Sequence, residues 1–338
     1  MSTSMQIDIL FIRPGGTGWG PVTELVQLVR RIFAARVIEV DDRGDVSALR
    51  KVATALPRGR RRPGHHLLVV AANPAAVAHL SHPRLWLPGY ESVAAWIIDS
   101  FWTDRTPRIL RSRPHVDQLF ITDPGLVDEW RTISGLPVAC LPWGTDTARF
   151  PLAEGEKPVD LLRLGRQPAA WDDDAATAAA AAGHGLVFAG RPAMSEDHLK
   201  NQANVRAALL HAKLVLAFSN LVSPAPYTHP TRDYLTGRWM DALAAGCRVV
   251  GVAPRAAPRQ LWDGATLEIS PTNPDVAWET LARAVGEWTL DASLRTQRMA
   301  RRHLDWRLRL RGLCATMGWP LPPVLAAELD ALDASAAA

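Results

Sequence analysis

The sequence predicts an α/β protein built from two doubly wound, Rossmann-like domains. Short apolar runs alternate with amphipathic segments along the chain, and this pattern stops at residues 151–158 and then resumes. A length of 338 residues suits two domains, because one domain usually has roughly 100–200 residues. We expect an N-terminal domain at 1–150, a linker at 151–158, a C-terminal domain at 159–292, and a helix and tail at 293–325 that pack back toward the first domain.

The first domain is expected to hold six strands, each an apolar run bounded by turn residues. They are 6–13, 36–40, 67–72, 93–98, 117–122 and 138–141. The clearest helix between them is 22–35, where Val22, Leu25, Val29 and Ile32 recur on one face. Apolar strands that alternate with helices are typical of a parallel sheet covered on both faces.

The second part of the chain repeats this alternation, which predicts five strands and five helices. The strands are 159–164, 186–189, 214–218, 248–252 and 266–269. The helices are 172–183, 195–211, 234–245, 275–290 and 293–315. Beyond Leu325 the sequence is rich in alanine, and we expect this tail to fray.

Composition excludes several classes of protein. There are 38 Lys and Arg against 34 Asp and Glu, so the net charge is +4, too small for a dedicated nucleic-acid binder. No apolar run reaches the roughly 18 residues of a membrane helix, and the N-terminus lacks the basic region of a signal peptide. Cys140, Cys247 and Cys314 form no CxxC motif, so we expect free thiols and a cytoplasmic protein.

A basic loop is the compositional hint of an anionic partner. Arg58, Arg60, Arg61 and Arg62 stand among glycine and proline. Such a loop is usually solvated, but it would also attract an anionic acceptor or a membrane surface. The sequence leaves both interpretations open and allows at most a peripheral membrane contact.

A glycine-rich turn follows the first predicted strand. Gly15, Gly16 and Gly18 precede a helix, so backbone amides there could approach an anion at the helix N-terminus. The dinucleotide fingerprint needs a third glycine where Pro21 stands, although Glu39 could act as the ribose-binding acid. A nicotinamide-dependent dehydrogenase and a tight turn without ligand therefore both stay open.

Three stretches resemble, in order, the motifs of one known family. Residues 141–146 (LPWGTD) with Phe150 are similar to the motif that ends the family's first domain. Residues 162–166 (LRLGR) resemble the strand that opens its second domain. Residues 233–246 (DYLTGRWMDALAAG) resemble its paired acidic element and the glycine that follows. Together they resemble the GT-B glycosyltransferases of the family-4-like or CgeB-like group, which implies two Rossmann-like domains that face an interdomain cleft.

The resemblance also implies roles for particular residues. A nucleotide-sugar donor would lie near the carboxyl ends of the second domain's strands, with Asp241 on the ribose hydroxyls and Asp233 near the sugar or phosphate. Arg166 would neutralise the diphosphate as it leaves. The donor-binding set is Gly15, Gly16, Arg166, Arg191, Tyr234, Thr236, Arg238 and Asp241, and the catalytic set is Asp99, Arg166 and Asp233.

This sequence departs from the family's pattern in two places. Both acidic positions are Asp where the family more often has Glu, and the usual Lys after the Gly-Arg is replaced by the stretch 167–170 (QPAA). A second cation would have to be Arg191 or Arg238. Asp233 could instead cap the following helix, and Arg166 could be an ordinary surface ion-pair partner.

Other side chains have a functional and a structural interpretation. Asp99, after a buried strand, could be a general base for the acceptor hydroxyl or could bind the acceptor or cap, with Asp104 as a weaker substitute. The indoles that could stack on an acceptor sugar, or belong to the core, are Trp19, Trp102 and Trp143. Residues 172–174 (DDD) favour helix capping over a metal site, and His229 could line the donor pocket or lie in a plain loop.

These observations together predict a cytoplasmic glycosyltransferase that moves a sugar from a nucleotide-sugar to a hydroxyl acceptor. The acceptor would be a glycan, a lipid-linked saccharide or a natural product, with an anionic acceptor among the options. We expect metal-independent transfer with retention of anomeric configuration, and no cofactor beyond the nucleotide-diphosphate sugar as co-substrate. The alternatives are a non-catalytic sugar-nucleotide or glycan-binding subunit and a GT-B-like nucleotide-sugar epimerase.

Overall fold

The chain forms two compact units. The computed structural model describes residues 5–16, 18–41, 61–81, 89–106 and 115–337. Unit 1 comprises Met1–Pro142 and Arg309–Ala327, and unit 2 comprises Trp143–Leu308 and Glu328–Ala338. Each unit has one parallel sheet with its own buried core, which confirms the predicted doubly wound α/β fold class.

Unit 1 contains a six-stranded parallel sheet. Its strands are β1 (Gln6–Arg13), β2 (Arg36–Asp41), β3 (Arg62–Ala71), β4 (Tyr90–Ile97), β5 (Gln118–Ile121) and β6 (Val138–Cys140). Among the described residues before Pro142, the α-helices are α1 (Gly20–Ile32) and α2 (Val127–Ser134). The strand order is β2-β1-β3-β4-β5-β6, and apolar side chains such as Leu10, Val69, Ala95 and Ile121 form the core.

Unit 2 contains a five-stranded parallel sheet in the order β11-β10-β9-β7-β8. The strands are β7 (Val159–Arg163), β8 (Phe188–Ala189), β9 (Ala212–Leu216), β10 (Arg248–Gly251) and β11 (Thr266–Glu268). The helices are α3 (Asp174–Gly183), α4 (His198–Leu210), α5 (Gly237–Ala244), α6 (Ala257–Gln260), α7 (Pro274–Gly286) and α8 (Leu290–Leu304). Two further helices, α9 (Trp306–Met317) and α10 (Pro323–Ala337), contribute residues to both units.

The strand order fixes where a ligand would bind in each unit. In both sheets the first strand has later strands on either side, so the order reverses beside it: between β1 and β3 in unit 1, and between β7 and β9 in unit 2. In open parallel sheets, ligands bind at the carboxyl ends of the strands at such a reversal. The loops after β7 and β9 are therefore the first place to look for the donor site.

The boundary between the units lies earlier than the sequence predicts. Residues 143–150, expected to end the first domain, group with unit 2. The N–H of Thr145 donates to the carbonyl of Leu304 (2.9 Å), and the N–H of Trp306 donates to the carbonyl of Thr145 (3.0 Å). Position 144 requires glycine, because a Cβ there would lie 2.6 Å from the carbonyl oxygen of Leu304.

The predicted single helix over 293–315 is interrupted at Asp305. The carboxylate of this fully buried residue accepts from the backbone N–H (3.0 Å) and hydroxyl (2.5 Å) of Thr147 and from the backbone N–H of Arg307 (2.7 Å). Its backbone is extended (φ −68°, ψ 138°), so the helix stops and restarts. Sequence periodicity missed this break because helical apolar spacing continues across it.

The alanine-rich tail is a helix, and the expectation that it frays is wrong. α10 continues to Ala337, and a stripe of buried side chains follows helical spacing along it: Leu325, Leu329, Leu332 and Ala336. Arg302 donates to the carbonyl of Ala336 (2.8 Å), which satisfies a carbonyl at the helix end. The alanine content had hidden the leucine spacing that predicts this helix.

Two other expectations concern the surface and the thiols. All three cysteines are free, as predicted, with Cys247 and Cys314 buried. Of the basic loop, Arg58 and Arg60 lie outside the described residues, whereas Arg61 lies 3.9 Å from the carboxylate of Asp117. Within the described ranges, no helix combines the length and apolarity needed to span a membrane.

Candidate functional site

The carboxyl end of β7 opens the candidate site in unit 2. Gly165 has a left-handed backbone (φ +82°), and a Cβ there would overlap the guanidinium of Arg238. Glycine is therefore required both by conformation and by close approach. This single position turns the chain after the strand and lets Arg238 lie directly against its backbone.

Arg166 follows this glycine and is partly exposed. Its Nε donates to the carbonyl of Ser223 (3.1 Å), and its Nη1 donates to the hydroxyl of Tyr227 (2.9 Å). Its guanidinium carbon also lies 4.9 Å from the centre of the Tyr227 ring. Among the described residues Arg166 has no carboxylate partner, so the predicted alternative of an ordinary ion pair does not apply.

Arg238 is the second cation, on the first turn of α5. Its Nη2 donates to the carbonyl of Phe218 just after β9 (3.0 Å), whereas its buried Nε has no hydrogen-bond partner. Burial, and then the positive charge of Arg166, lower the pKa of Arg238 to about 10. Two guanidiniums that repel each other, with no carboxylate partner among the described residues, form a place where an anion would be stabilised.

The N-terminus of α5 adds to this positive potential. Thr236 is its N-cap and makes no side-chain capping bond, and no acidic residue lies in the first turn. The helix therefore keeps its partial positive charge at this end. Tyr234 lies just before the helix, and the hydroxyls of Tyr234 and Tyr227 both act electrostatically on Arg238.

Asp233 does not cap α5, contrary to one of the two predicted roles. The helix begins at Gly237 rather than 234, and the carboxylate of Asp233 accepts from the backbone N–H of Arg255 (2.9 Å). Asp233 thus links the loop before α5 to the loop after β10. Its side chain remains partly exposed, so its predicted place near the donor sugar stays a prediction.

Asp241 lies in the interior of unit 2. It is only 1% exposed, and its Oδ2 accepts from the amide Nε2 of Gln202 on α4 (2.7 Å). In this position it joins two helices and offers no surface to a ribose. The predicted ribose contact would require Gln202 to move away, because the amide covers the carboxylate.

The three consecutive aspartates are structural. Asp173 caps α3 by accepting from the N–H groups of Ala175 (2.9 Å) and Ala176 (3.0 Å), as the capping interpretation predicts. Asp172 and Asp174 both pair with the buried Arg163 of β7. In the part of the chain that the structure describes, no cluster of three or more His, Cys, Asp or Glu side chains could hold a metal ion.

Arg191 and His229 have different outcomes. Arg191 is exposed, and its backbone N–H lies 3.4 Å from the carboxylate of Asp174. Its guanidinium is therefore not held at the pair formed by Arg166 and Arg238. The ring Nδ1 of His229 accepts from the backbone N–H groups of Thr231 (3.2 Å) and Arg232 (3.1 Å), which supports the plain loop interpretation.

Asp99 is the chemically distinctive group of unit 1. It lies two residues beyond β4, and its N–H donates to the carbonyl of Ala72 (2.8 Å), which follows β3. Its partly exposed carboxyl group has no hydrogen bond or ion pair among the described residues, and burial raises its pKa to about 8. A carboxyl group in this environment is suited to accept a proton near neutral pH. Asp104 is exposed in the following turn.

The glycine turn after β1 is open. Gly15 and Gly16 are exposed, Gly16 has a left-handed backbone (φ +90°), and a Cβ at either position would meet nothing within 4 Å. Trp19 is partly exposed at the start of α1. The predicted dehydrogenase acid, Glu39, lies 3.8 Å from the guanidinium of Arg13.

The other two candidate tryptophans are core residues. Trp102 is buried, with the guanidinium carbon of Arg105 3.2 Å from its ring centre. Trp143 is buried beside Trp306, with their ring centres 6.1 Å apart. Neither ring has an open face for a sugar, so their predicted acceptor role is not supported by their placement.

Sequence reasoning missed Tyr227 and Gln202. Tyr227 lies in a proline-rich loop, and its importance follows from contact with Arg166, which lies 61 residues away in the sequence. Gln202 lies on a helix whose apolar periodicity gave no hint of a polar contact. The signal available for Tyr227 was compositional, since the chain has only 3 tyrosines and one of them stands in the loop before the acidic element.

The fold is similar to that of solved glycosyltransferase structures. Anabaena Alr3699/HepE in complex with UDP superposes with a TM-score of 0.53 at 11% identity, covering 93% of this chain and 100% of that one. Its complex with UDP-glucose gives 0.54 at 11% identity, covering 92% and 99%. An alpha-glucosyltransferase in complex with UDP and a 13-mer DNA gives 0.48 at 10% identity, covering 94% and 100%.

The two HepE similarities show the fold, and the chain adopts the GT-B fold of two parallel-sheet units. A scan against models of protein families found no match, and a search of curated proteins found none either.

Proposed function

We propose that this protein is a glycosyltransferase that moves a sugar from a nucleotide-diphosphate sugar to a hydroxyl acceptor. The observation that carries the proposal is the pair formed by Arg166 and Arg238. Both guanidiniums lie where the strand order of unit 2 reverses, next to the N-terminus of α5, and neither has a carboxylate partner among the described residues. A diphosphate supplies the negative charge that this arrangement lacks.

The pair also suits the chemistry of the leaving group. Glycosyl transfer breaks the bond between the anomeric carbon and the diphosphate oxygen, and negative charge grows on that oxygen. Guanidiniums and a helix N-terminus placed there stabilise the transition state more than the ground state. Because they can supply the positive charge that other enzymes take from a divalent cation, we include metal independence in the proposal.

The group that accepts the proton of the acceptor hydroxyl differs between transfer with retention and transfer with inversion of anomeric configuration. The family resemblance implies retention, in which the leaving diphosphate takes this proton. One observation favours inversion instead, namely the carboxyl group of Asp99, which has no partner among the described residues and a pKa raised by burial to about 8. We therefore propose Asp99 as the proton acceptor, with inversion as the consequence, and retention as the alternative that the anomeric configuration of the product distinguishes.

The remaining features of the proposal come from the resemblance and from composition. The three motifs at 141–150, 162–166 and 233–246 support a place in the family-4-like or CgeB-like group. The acceptor is a glycan, a lipid-linked saccharide or a natural product. We propose a cytoplasmic protein with at most a peripheral contact at the inner membrane face.

A thermal-shift titration tests the donor site. UDP and UDP-glucose are the first ligands to use, because HepE has been solved with each of them. GDP- and dTDP-sugars follow. We expect one nucleotide family to raise the melting temperature of the wild type, and Arg166→Gln to abolish the rise. Arg295→Gln, which removes an exposed guanidinium from α8, is the matched control and should respond like the wild type.

The same proteins distinguish a glycosyltransferase from a binding subunit and from an epimerase. Donor incubated with a panel of saccharide acceptors should yield a product and free nucleoside diphosphate. Binding without turnover or donor hydrolysis would indicate a binding subunit, and a new epimer formed from donor alone would indicate an epimerase. If no nucleotide stabilises the folded wild type, the assignment of the Arg166 and Arg238 pair to a diphosphate is wrong.

A further inference from the structure

The loop between β9 and α5 places one side chain on the proposed diphosphate site. Tyr227 is 67% exposed, yet its hydroxyl accepts a hydrogen bond from Nη1 of Arg166 (2.9 Å) and its ring lies 4.9 Å from the guanidinium carbon. One N–H group of the guanidinium that a phosphate would contact is thus donated to a phenol. A phenol oxygen is a neutral acceptor, so it satisfies the guanidinium geometrically without neutralising its charge.

The backbone beneath Tyr227 is fixed. Residues 225–228 form a turn in which the N–H of Thr228 donates to the carbonyl of Ala225 (2.9 Å), and the hydroxyl of Thr228 accepts from the N–H of Ala225 (3.0 Å). The amide Nδ2 of the buried Asn220 donates to the carbonyls of His229 (3.1 Å) and Arg232 (2.7 Å), which holds the far end of the loop. The loop is therefore braced from within.

Because the loop backbone is held by these hydrogen bonds and its tip is exposed, the motion with the lowest energetic cost is a side-chain rotation. Rotation of the Tyr227 side chain about its own bonds would release Arg166 without moving the turn, because the ring is mostly solvated. Rotamer changes of exposed side chains are fast and meet low barriers. Arg166 would retain its second hydrogen bond, to the carbonyl of Ser223, and so stay at the site.

We propose that Tyr227 is a competing internal ligand of Arg166, which a nucleoside diphosphate or pyrophosphate displaces when it binds. This inference rests on the proposed function of the same site. Without a ligand, hydrogen bonds to the phenol of Tyr227 and to the carbonyl of Ser223 hold Arg166 beside Arg238, although the two guanidiniums repel each other. A diphosphate replaces the phenol with charged oxygens, and Tyr227 swings out.

Competition makes a specific prediction for affinity. The apparent dissociation constant of a ligand equals the intrinsic constant divided by the fraction of protein in which the site is free. Tyr227→Phe keeps the ring over the guanidinium and removes only the competing oxygen. Since one such hydrogen bond has a modest net strength, we expect this variant to bind inorganic pyrophosphate and UDP about three-fold more tightly than the wild type.

Fluorine NMR reports the displacement directly. The chain has 3 tyrosines, so protein labelled with 3-fluorotyrosine gives a spectrum that Tyr→Phe variants assign completely. We expect pyrophosphate to shift the resonance of Tyr227, and Arg166→Gln to cause a similar shift without ligand. Tyr90, whose hydroxyl donates to Asp8 in unit 1 (2.8 Å), serves as the internal control and should not move.

The outcomes separate this inference from the proposed function. Tighter binding by Tyr227→Phe, with movement of the Tyr227 resonance in the wild type, supports the inference. Unchanged or weaker binding by the variant, or a resonance that stays in place while UDP binds, overturns it and leaves the diphosphate site standing. Absence of any binding of pyrophosphate and UDP to either protein overturns both.

Discussion

The carboxyl edges of the two sheets have opposite electrostatic characters. In unit 1 the edge holds an acid without a cation, since Asp99 has no ionic partner among the described residues and burial raises its pKa. In unit 2 the edge holds two guanidiniums, Arg166 and Arg238, without a carboxylate partner among the described residues, and burial and then their repulsion lower the pKa of Arg238. Two units of one architecture thus leave complementary charges unsatisfied.

Under the proposed function, this difference assigns the proton acceptor to unit 1 and the stabilisation of the leaving group to unit 2. Pairing these groups within each unit would stabilise the fold and remove their reactivity. Elsewhere in unit 2 several buried charges are paired, as Arg163 with Asp172 and Asp174 or Arg307 with Asp305 show. Among the described residues, Asp99, Arg166 and Arg238 lack such an ion pair, which marks them as functional candidates.

The largest expected effect comes from replacing the acid of unit 1, Asp99, with a neutral residue. We expect Asp99→Asn to lower kcat by roughly 1000-fold, because a positioned general base contributes about 100- to 10,000-fold. The wild-type rate should rise with pH through about pH 8, where the carboxyl group is half ionised, and level off above about pH 9. Initial-rate measurements across pH check both statements.

Two controls accompany Asp99→Asn: a variant of a neighbouring acid and the pH dependence of the free energy of unfolding. Asp104→Asn changes an exposed carboxylate and should leave the pH profile as it is. Because the pKa of Asp99 is raised on folding, the folded state binds more protons than the unfolded state from about pH 4 to about pH 8, so ionisation of Asp99 destabilises the wild type as pH rises through that window. Asp99→Asn should therefore be more stable relative to the wild type at pH 8.5 than at pH 5. If Asp99→Asn lowers kcat by less than ten-fold, the leaving diphosphate rather than Asp99 accepts the proton, which favours retention.

Removing a cation from unit 2 should have the next largest effect. Arg238→Gln is expected to lower kcat about 100-fold, as the loss of one preorganised stabiliser of developing charge does elsewhere. Arg238→Lys keeps the charge and should recover part of the rate. The measurement is kcat with saturating donor, with circular dichroism to establish that the fold is intact. Equal activities of Arg238→Gln and Arg295→Gln would contradict the role.

A smaller effect tests whether Asp241 is structural. Gln202→Leu removes the amide that donates to the buried carboxylate, and we expect the free energy of unfolding to fall by about 1–3 kcal/mol. Asn204→Leu changes a more exposed amide on the same helix and should cost less than about 1 kcal/mol. Asp241→Asn should bind UDP like the wild type, whereas a large loss of affinity in folded protein would restore the predicted ribose contact.

The smallest predicted effect compares two helix starts. Asp173 caps α3 with two hydrogen bonds, so Asp173→Ala should lower the free energy of unfolding by about 1 kcal/mol. Thr236 makes no side-chain capping bond at α5, so Thr236→Ala should change it by only a few tenths of a kcal/mol. Chemical denaturation measures both. A cost at Thr236 that equals the cost at Asp173 would indicate a cap bond at the site.

The sequence predicted the architecture well because parallel sheets give a strong local signal. Buried strands such as 67–72 and 214–218 read as apolar runs, and the order of strands and helices then allows few topologies. The break at Asp305 and the helical tail were missed, since one depends on Thr147, far away in the sequence, and the other on sparse leucines among alanines.

The candidate site was predictable only in part. Arg166 and Arg238 were named from a motif and from the need for a second cation, and the fold brings them together. Asp241 was predicted from its motif position and Trp143 from the tendency of indoles to stack on sugars. Both are buried, because the sequence position of a residue does not show what covers it. Tyr227 depends on a contact between two distant loops, which no local pattern records.

The path of the C-terminal helices decides how this protein can be dissected. The chain crosses between the units after Pro142, after Leu308 and after Ala327, so each unit is assembled from two separate stretches of sequence. The last stretch is held to unit 2 by Arg307, whose Nε donates to Glu328 (2.6 Å), and by Arg302 at Ala336. A fragment that stops at Pro142 lacks Arg309–Ala327, and a fragment of 143–308 lacks the final turns of α10. Neither half is a contiguous gene segment, so independent expression of the units requires rejoining distant pieces of the chain by a designed linker.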